Sequence, residues 1–133
     1  MSTTLSKSIK NHKKTIAIYG LGNVGGAIAA CWLRAGAKVI GVDISKKLLS
    51  DIKTGKSHSK EPFVSDIFSK SLKSGNFILT DDGIKASKNS HIKIIVVPVG
   101  LKKNKSDLKY VISASKTISK GLKKGDVVLL SPS

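Results

Sequence analysis

The sequence predicts one domain of the α/β class, built on a parallel sheet of about five strands with helices on both faces. Short apolar runs alternate along the chain with segments of helical periodicity, an order typical of parallel sheets. The first apolar run ends at a glycine-rich turn that opens a helix. The last two runs are almost continuously apolar, as expected for strands covered on both faces.

The apolar runs are short, and turn-forming or polar residues end them. Gly20 ends the first run, Asp43 closes the second and Pro98 stops the fourth. Residues 1–13 are polar and basic, so we expect a flexible tail before a domain that spans residues 14–133. The predicted strands are residues 14–19, 38–42, 76–80, 92–97 and 126–130.

Capping residues place the ends of the helices. Gly36 follows the first helix, because glycine tolerates the left-handed conformation that often ends a helix. Ser45 and Asp107 are the predicted N-caps of the second and the last helix, since their side-chain oxygens can accept a backbone N–H. A lysine-rich loop over residues 101–106 precedes the last helix. The predicted helices are residues 23–35, 46–53, 64–72, 83–88 and 108–122.

The first helix carries Val24, Ala27, Ile28 and Cys31 at helical spacing, and we expect this face to pack against the sheet. Cys31 is the only cysteine of the chain, which excludes an internal disulfide and a four-cysteine zinc site. A packed position does not suit a reactive thiol, so we assign Cys31 no catalytic role. Such sparse use of cysteine fits a reducing compartment, and we expect a cytoplasmic protein.

The charge balance is strongly basic. The 133 residues include 24 Lys and Arg against 8 Asp and Glu, a net charge of +16. Such a chain attracts polyanions without specificity. Specific nucleic-acid readers add arginine and stacking aromatic residues, whereas Arg34 is the only arginine and aromatic residues make up 5% of this chain. We therefore expect no specific nucleic-acid partner.

An apolar stretch over residues 16–33 follows a basic start and superficially resembles a signal peptide or a membrane span. Glycines and Asn23 interrupt it, and a strand, a turn and a helix explain their spacing better. We expect no contact with a membrane.

The turn after the first strand has the pattern G-x-G-x-x-G, at the strand-to-helix position where this pattern is informative. Gly20 permits the tight turn, Gly22 leaves room for a pyrophosphate, and Gly25 lets the helix pack closely on the strand. The first N–H groups of the helix, at Asn23 and Val24, would face the phosphates, with the helix dipole favouring negative charge. The sequence therefore predicts a Rossmann-type dinucleotide site.

Asp43 ends the second strand 18 residues after Gly25, where an acid accepts hydrogen bonds from the adenosine ribose. A carboxylate there repels a 2′-phosphate, which favours NAD over NADP. Lys46 and Lys47 follow closely and weaken this preference. A glycine-rich turn without a ligand, with Asp43 as a simple cap, is the open structural alternative.

Residues 16–131 resemble the N-terminal NAD-binding domain of the nucleotide-sugar dehydrogenases, which act on UDP-glucose, UDP-N-acetylmannosamine or GDP-mannose. The discriminating stretches are TGKSHSKEP and LKSGNFILTDD, because a generic Rossmann domain does not require them. Asn23, Val99 and Pro132 depart from the family pattern, which usually has tyrosine, threonine and threonine there. The other matching stretches are IAIYGLGNVGGAIAA, KVIGVDIS, VVPVG, DLKYV and LKKGDVVLLS.

Enzymes of this family oxidise the C6 alcohol of a nucleotide sugar to a carboxylate, in two hydride transfers to two NAD molecules. The family's nucleophilic cysteine, catalytic lysine and sugar-binding domain correspond to sequence beyond residue 133. The resemblance thus implies that this chain holds no catalytic residue and that the isolated domain is inactive. It implies that a nucleotide sugar binds only when that further domain is present. It also implies that the full-length form is a homo-oligomer. The residues it implies for NAD binding are Gly20, Gly22, Asn23, Val24, Gly25, Asp43, Lys47, Val97, Pro98 and Val99.

A different class of function remains open: a stand-alone NAD-responsive module, like the regulatory Rossmann domains of ion-channel gating rings. Those modules usually carry a Gly-Asp run after the third strand, where this chain has Thr80-Asp81-Asp82-Gly83. The histidines are scattered without the spacing of a metal site, so we expect no metal.

Overall fold

The computed structural model describes Lys7 and residues 14–56, 60–97 and 105–132. The expected tail, residues 1–13, therefore lies outside the described residues apart from Lys7. The strands are β1 Thr15–Tyr19, β2 Lys38–Val42, β3 Phe77–Thr80, β4 Ile92–Val97 and β5 Val127–Pro132. The helices are α1 Asn23–Arg34, α2 Lys46–Lys53, α3 Phe63–Ser74, α4 Gly83–Lys88 and α5 Lys105–Ser119.

All five strands run parallel in one sheet, in the order β3-β2-β1-β4-β5, which confirms the predicted fold class. The chain moves outward from β1 to β3 and then returns to place β4 on the other side of β1. The strand order thus reverses between β1 and β4, and in open parallel sheets ligands bind at the carboxyl ends next to such a reversal.

Alternate residues of each strand supply the two faces of the sheet, as the two-residue period of a strand requires. Ile16 and Ile18 of β1 belong to the core under α1 and α3, where the rings of Phe68 and Phe77 lie 4.6 Å apart. Ala17 belongs to the second core, beneath α4 and α5. Every residue of β1 is buried, so the central strand is covered on both faces.

The α2 cap follows the sequence prediction, but the start of α5 does not. The Ser45 hydroxyl accepts a hydrogen bond from the N–H of Leu48 at 3.2 Å and caps α2. Asp107, predicted to cap the last helix, lies inside α5, which begins at Lys105. Aspartate is favourable both as an N-cap and in the first turn of a helix, so its presence does not fix which residue starts the helix.

The buried face of α1 differs from the predicted one. Cys31 is exposed, whereas the buried residues of α1 are Leu33 and four small ones, Gly25, Gly26, Ala29 and Ala30. Small residues let the helix backbone approach the sheet closely, and this close approach rather than apolar character decides which face is buried. Val24, Ala27 and Ile28 pack at the border of the core and are half-buried.

The expectation that the last strand is covered on both faces is wrong. The four large apolar residues Val127–Leu130 are each exposed by 45–60%. The strand β5 pairs with β4 on one side, and among the described residues no strand pairs with its other edge. The apolar run correctly identified a strand of a parallel sheet, but apolar composition alone does not show whether a neighbouring element covers it.

A buried ion pair joins the amino ends of β4 and β5. Lys93 is fully buried, and its Nζ donates to the Ser90 carbonyl oxygen at 2.6 Å and to the carboxylate of Asp126. The same carboxylate accepts the backbone N–H of Lys123 at 2.9 Å. These bonds compensate the buried charge of Lys93 inside β4, which the sequence identifies only as an apolar strand.

Candidate functional site

The glycine turn lies at the carboxyl end of β1, in the middle of the sheet. Gly20 leaves the strand with φ of +105° and its N–H donates to the Val42 carbonyl oxygen at 2.8 Å. The helix α1 then starts, and the N–H of Gly26 donates to the Gly22 carbonyl oxygen at 2.8 Å. The turn therefore aims the amino end of α1 at the space beyond the sheet edge.

The three glycines of the motif are required for three different reasons. A Cβ on Gly25 would lie 1.8 Å from the Gly20 carbonyl oxygen, so a side chain there collides with the turn itself. Gly20 has the positive φ that favours glycine. Gly22 has an ordinary φ of −68°, and a Cβ on it would meet no atom within 4 Å.

The space around Gly22 is open, since a Cβ there would have no atom within 4 Å. Gly22 is the N-cap of α1 and no side chain caps the helix there. The first N–H groups of α1, at Asn23 and Val24, thus border an empty cradle with a favourable dipole for an anion. A pyrophosphate fits this arrangement of groups.

Asp43 is held next to the turn by hydrogen bonds from two directions. Its Oδ2 accepts the N–H of Leu21 at 2.9 Å, and its Oδ1 accepts the N–H of Ser45 at 2.9 Å. Each carboxylate oxygen has a second lone pair, so both can still accept a hydroxyl of a ligand. The carboxylate is therefore fixed in position, with acceptor capacity left for a ribose.

A shallow cavity of about 130 Å³ opens beside Asp43. Ile44, which follows Asp43, is 84% exposed and gives the cavity an apolar rim. Such a rim suits a flat apolar ring with polar edges. The cavity is lined by Tyr19, Val42, Asp43, Ile44, Asp81, Gly83, Tyr110, Ser113, Ala114 and Thr117.

A buried tyrosine, Tyr19, and a half-buried one, Tyr110, line this cavity. Tyr19 donates its hydroxyl to the Gly83 carbonyl oxygen at 2.8 Å, and Tyr110 donates its hydroxyl to the Tyr19 carbonyl oxygen at 2.9 Å. Burial raises the pKa of Tyr110 to about 12, and the negative charge of Asp43 adds to the increase. Both hydroxyls therefore remain donors at neutral pH.

The structure brings most of the predicted site residues together, but not all of them. The backbone N–H of Asn23 lies at the turn, but its side chain is engaged elsewhere, because its Oδ1 accepts the N–H of Lys60 at 2.8 Å. Lys47 is exposed on α2 and is not among the side chains that line the cavity beside Asp43. Val97 ends β4 and pairs with Pro132, while Pro98 and Val99 lie outside the described residues.

Reasoning from the sequence missed the contribution of α5 to this site. Tyr110, Ser113 and Thr117 lie on one side of that helix at a spacing of three and four residues. The stretch DLKYV, which contains Tyr110, was part of the resemblance to nucleotide-sugar dehydrogenases, but a matching stretch alone does not show which side chain reaches the site.

His91 stands at the opposite, amino end of the sheet. Its Nδ1 accepts the N–H of Thr15 at 3.1 Å, which holds β1 and β4 together. Burial and the positive charges of Lys14 and Lys123 lower its pKa. His91 therefore has a structural contact away from the glycine turn, and the other two histidines, His12 and His58, fall outside the described ranges.

Within the part of the chain that the structure describes, no group of three His, Cys, Asp or Glu side chains is placed to hold a metal ion. None of the described helices is long and apolar enough to cross a bilayer.

Residues 14–132 match the model of the UDP-glucose/GDP-mannose dehydrogenase family, NAD-binding domain. The UDP-N-acetyl-D-mannosamine dehydrogenase of Campylobacter jejuni is 33% identical over 125 residues, which are 90% of this chain and 29% of that protein. The GDP-mannose 6-dehydrogenase of Pseudomonas syringae pv. syringae is 35% identical over 104 residues, which are 77% of this chain and 24% of that protein. The chain thus spans about a quarter of the length of these curated relatives.

Solved structures of similar proteins share the fold. A ternary complex of GDP-mannose dehydrogenase from Pseudomonas aeruginosa superposes with a TM-score of 0.76 at 29% identity, over 88% of this chain and 28% of that one. A UDP-glucose dehydrogenase from Pyrobaculum islandicum gives a TM-score of 0.77 over 90% of this chain and 28% of that one, and at 23% identity it supports the fold alone.

Proposed function

The chain belongs to the UDP-glucose/GDP-mannose dehydrogenase family, as the NAD-binding domain of that family, and on this premise we propose that it binds NAD at the carboxyl end of β1 and β2. One observation carries the proposal. A carboxylate fixed by the turn, Asp43, lies beside a glycine whose missing side chain leaves an open cradle, Gly22.

Each group of the site has a distinct part in the proposed complex. The N–H groups at the start of α1 receive the pyrophosphate, and Gly22 keeps that approach open. Asp43 accepts the two hydroxyls of the adenosine ribose through its remaining lone pairs. The same negative charge repels a 2′-phosphate, so NAD is preferred over NADP despite the exposed Lys46 and Lys47 nearby.

We further propose that the domain serves oxidation of the C6 alcohol of a nucleotide sugar to a carboxylate. Relatives that match the chain carry names of UDP-N-acetyl-D-mannosamine and GDP-mannose dehydrogenases. NAD, when bound, supplies the hydride acceptor for such a reaction. The residues of this chain bind the cofactor and orient it, and the sugar is held by polypeptide that corresponds to the remaining three quarters of the relatives.

The isolated 133-residue chain is not expected to oxidise a nucleotide sugar. Thioester chemistry needs a thiolate at the oxidised carbon, and Cys31 is the only cysteine of the sequence. Cys31 is eight residues into α1 from Asn23, about 12 Å along the helix from the glycine turn. Its exposed thiol therefore stands away from the carboxyl edge of the sheet.

Titration calorimetry with NAD and with NADP tests the proposed binding. The wild-type chain is expected to bind NAD and to bind NADP at least about tenfold more weakly. Asp43→Ala should weaken NAD binding by about 1–3 kcal/mol, the cost of losing hydrogen bonds to a charged acceptor. Asp81→Asn is the matched control, because this second carboxylate lines the same cavity. Equal affinities for NAD in wild type and Asp43→Ala would remove the ribose assignment.

A further inference from the structure

The peptide unit between Tyr19 and Gly20 joins β1 to the glycine turn. Hydrogen bonds hold both its N–H and its carbonyl oxygen. Its N–H, from Gly20, donates to the Val42 carbonyl oxygen at 2.8 Å. Its carbonyl oxygen, from Tyr19, accepts the hydroxyl of Tyr110 at 2.9 Å. One end is therefore fixed by the neighbouring strand β2, and the other by a side chain of α5.

The hydroxyl of Tyr110 also covers Gly20 directly. A Cβ on Gly20 would lie 2.8 Å from this hydroxyl oxygen and 3.3 Å from the Val96 carbonyl oxygen. Gly20 therefore fits between β4 and Tyr110 only because it lacks a side chain. The ring of Tyr110 is half-buried against the core beneath α4 and α5, so α5 carries the hydroxyl on a rigid support.

We propose that Tyr110 is a positioning residue for phosphate binding: its hydroxyl fixes the Tyr19–Gly20 peptide and so presents the amino end of α1 in the orientation that receives a pyrophosphate. This inference rests on the proposed NAD site, which it deepens. Glycine has the greatest backbone freedom, so a turn that starts with Gly20 needs an external restraint to be preorganised. Preorganised groups bind more tightly because less ordering remains to be done on binding.

The proposal separates two parts of the ligand. The pyrophosphate uses the turn, whereas the adenosine uses Asp43 and the cavity beside it. Tyr110→Phe keeps the ring that lines the cavity and removes only the hydroxyl. We expect this variant to bind ADP-ribose about fivefold more weakly than wild type, with adenosine binding changed less than twofold. If Tyr110 acted only through its ring, as part of the cavity wall, removing the hydroxyl would leave both affinities unchanged.

The matched control is Ser119→Ala. Ser119 also donates its hydroxyl to a carbonyl oxygen at 2.7 Å, but its partner is Lys116 near the far end of α5, and neither residue lines the cavity. General loosening of α5 would lower both affinities in both variants. The proposed role predicts that only Tyr110→Phe lowers the ratio of ADP-ribose affinity to adenosine affinity, measured by calorimetry for ADP-ribose and by NMR titration for adenosine.

A second measurement needs no ligand. Amide hydrogen exchange at Gly20 reports the bond to Val42, and we expect it to be at least threefold faster in Tyr110→Phe than in wild type, but unchanged in Ser119→Ala. Equal exchange at Gly20 in all three proteins, or an equal loss of ADP-ribose and adenosine affinity in Tyr110→Phe, overturns the role of Tyr110. Absence of ADP-ribose binding by the wild type instead refutes the proposed NAD site. The exchange rates alone then test whether the Tyr110 hydroxyl fixes the Tyr19–Gly20 peptide.

Discussion

A side chain added to Gly22 and one added to Gly25 would have opposite consequences, although the motif presents these glycines as equivalent. We expect Gly22→Val to fold with a loss of stability of only about 1 kcal/mol, because its Cβ would meet no atom but valine is a poor N-cap. The same side chain would fill the phosphate cradle, so NAD affinity should fall more than about tenfold. Thermal unfolding and calorimetry measure the two effects separately.

Gly25→Ala is the companion variant. Its Cβ would lie 1.8 Å from the Gly20 carbonyl oxygen, so we expect a loss of stability of at least about 1–3 kcal/mol. A Gly22→Val protein that binds NAD like the wild type would show that the phosphates lie elsewhere. A Gly25→Ala protein with unchanged stability would contradict the packing of the turn.

At the residue scale, the sequence predicted best the residues whose type and spacing are explained by a single physical requirement. The spacing of the glycines and of Asp43 placed them correctly at the start of α1 and the end of β2. The bond from the N–H of Leu21 to Asp43 could not be foreseen, because it depends on how close two strand ends come. The exposure of Cys31 was also missed, since apolar spacing does not identify the face that glycine packing selects.

The junction of β4 and β5 depends on the ion pair between Lys93 and Asp126. Asp126→Ala leaves the fully buried Lys93 without its carboxylate, and we expect a cost of about 3–5 kcal/mol. Lys123→Ala removes the other, half-exposed amine, which also donates to the carbonyl oxygens of Ser87, Lys88 and Ser90, and should cost about 1–2 kcal/mol. Chemical denaturation measures both changes. A smaller loss in Asp126→Ala than in Lys123→Ala would contradict the buried pair.

The amino ends of β1 and β4 should make stability depend on pH through His91. The lowered pKa of His91 means that the folded chain binds fewer protons there than the unfolded chain. Stability from this group is therefore present above the ordinary imidazole range near pH 6.5 and decreases as pH falls below it. His91→Asn keeps an acceptor for the Thr15 N–H but does not titrate.

Denaturation midpoints at about pH 7.5 and about pH 5.5 test this dependence, because the two values lie on either side of the unperturbed imidazole pKa. The wild type should lose more stability between them than His91→Asn. An equal loss in both proteins would show that His91 is not the titrating group.

At the scale of elements, periodicity and caps predicted β2, β4, α2 and α4 with the bounds that the structure shows. The start of α5 was predicted three residues too late, because an aspartate suits two positions at a helix start. The burial of Lys93 inside β4 could not be predicted either. Its partner Asp126 is 33 residues away in sequence, and only the pairing of β4 with β5 brings them together.

On the scale of the whole molecule, the parallel sheet separates the proposed binding site from the buried ion pair that stabilises the fold. All strands point the same way, so the glycine turn, Asp43 and the cavity lie at the carboxyl edge, while His91, Lys93 and Asp126 lie at the amino edge. The sequence predicted the parallel sheet from the alternation of strands and helices, but not which residues meet at its amino edge. It could not predict that β5 would be exposed, because exposure depends on what lies beside a strand.

The net charge of +16 bears on any binding measurement, since a basic chain attracts anionic ligands without a specific site. Titrations at an ionic strength of about 0.15 M, where the Debye length is about 8 Å, reduce this contribution. Inorganic pyrophosphate serves as the control for charge alone, because it lacks the adenosine that Asp43 is proposed to recognise.

The most direct test of the proposed NAD site is an NMR titration of the isotope-labelled chain with NAD, followed through the backbone amides. We predict saturable shifts at Leu21, Gly22, Asn23 and Ser45, which border the turn and Asp43, with no comparable shift at Asp126 or Val127 of the amino edge. Inorganic pyrophosphate should shift the turn but not Ser45. Shifts that are absent, that do not saturate, or that centre on the amino edge would contradict NAD binding at the carboxyl end of β1 and β2.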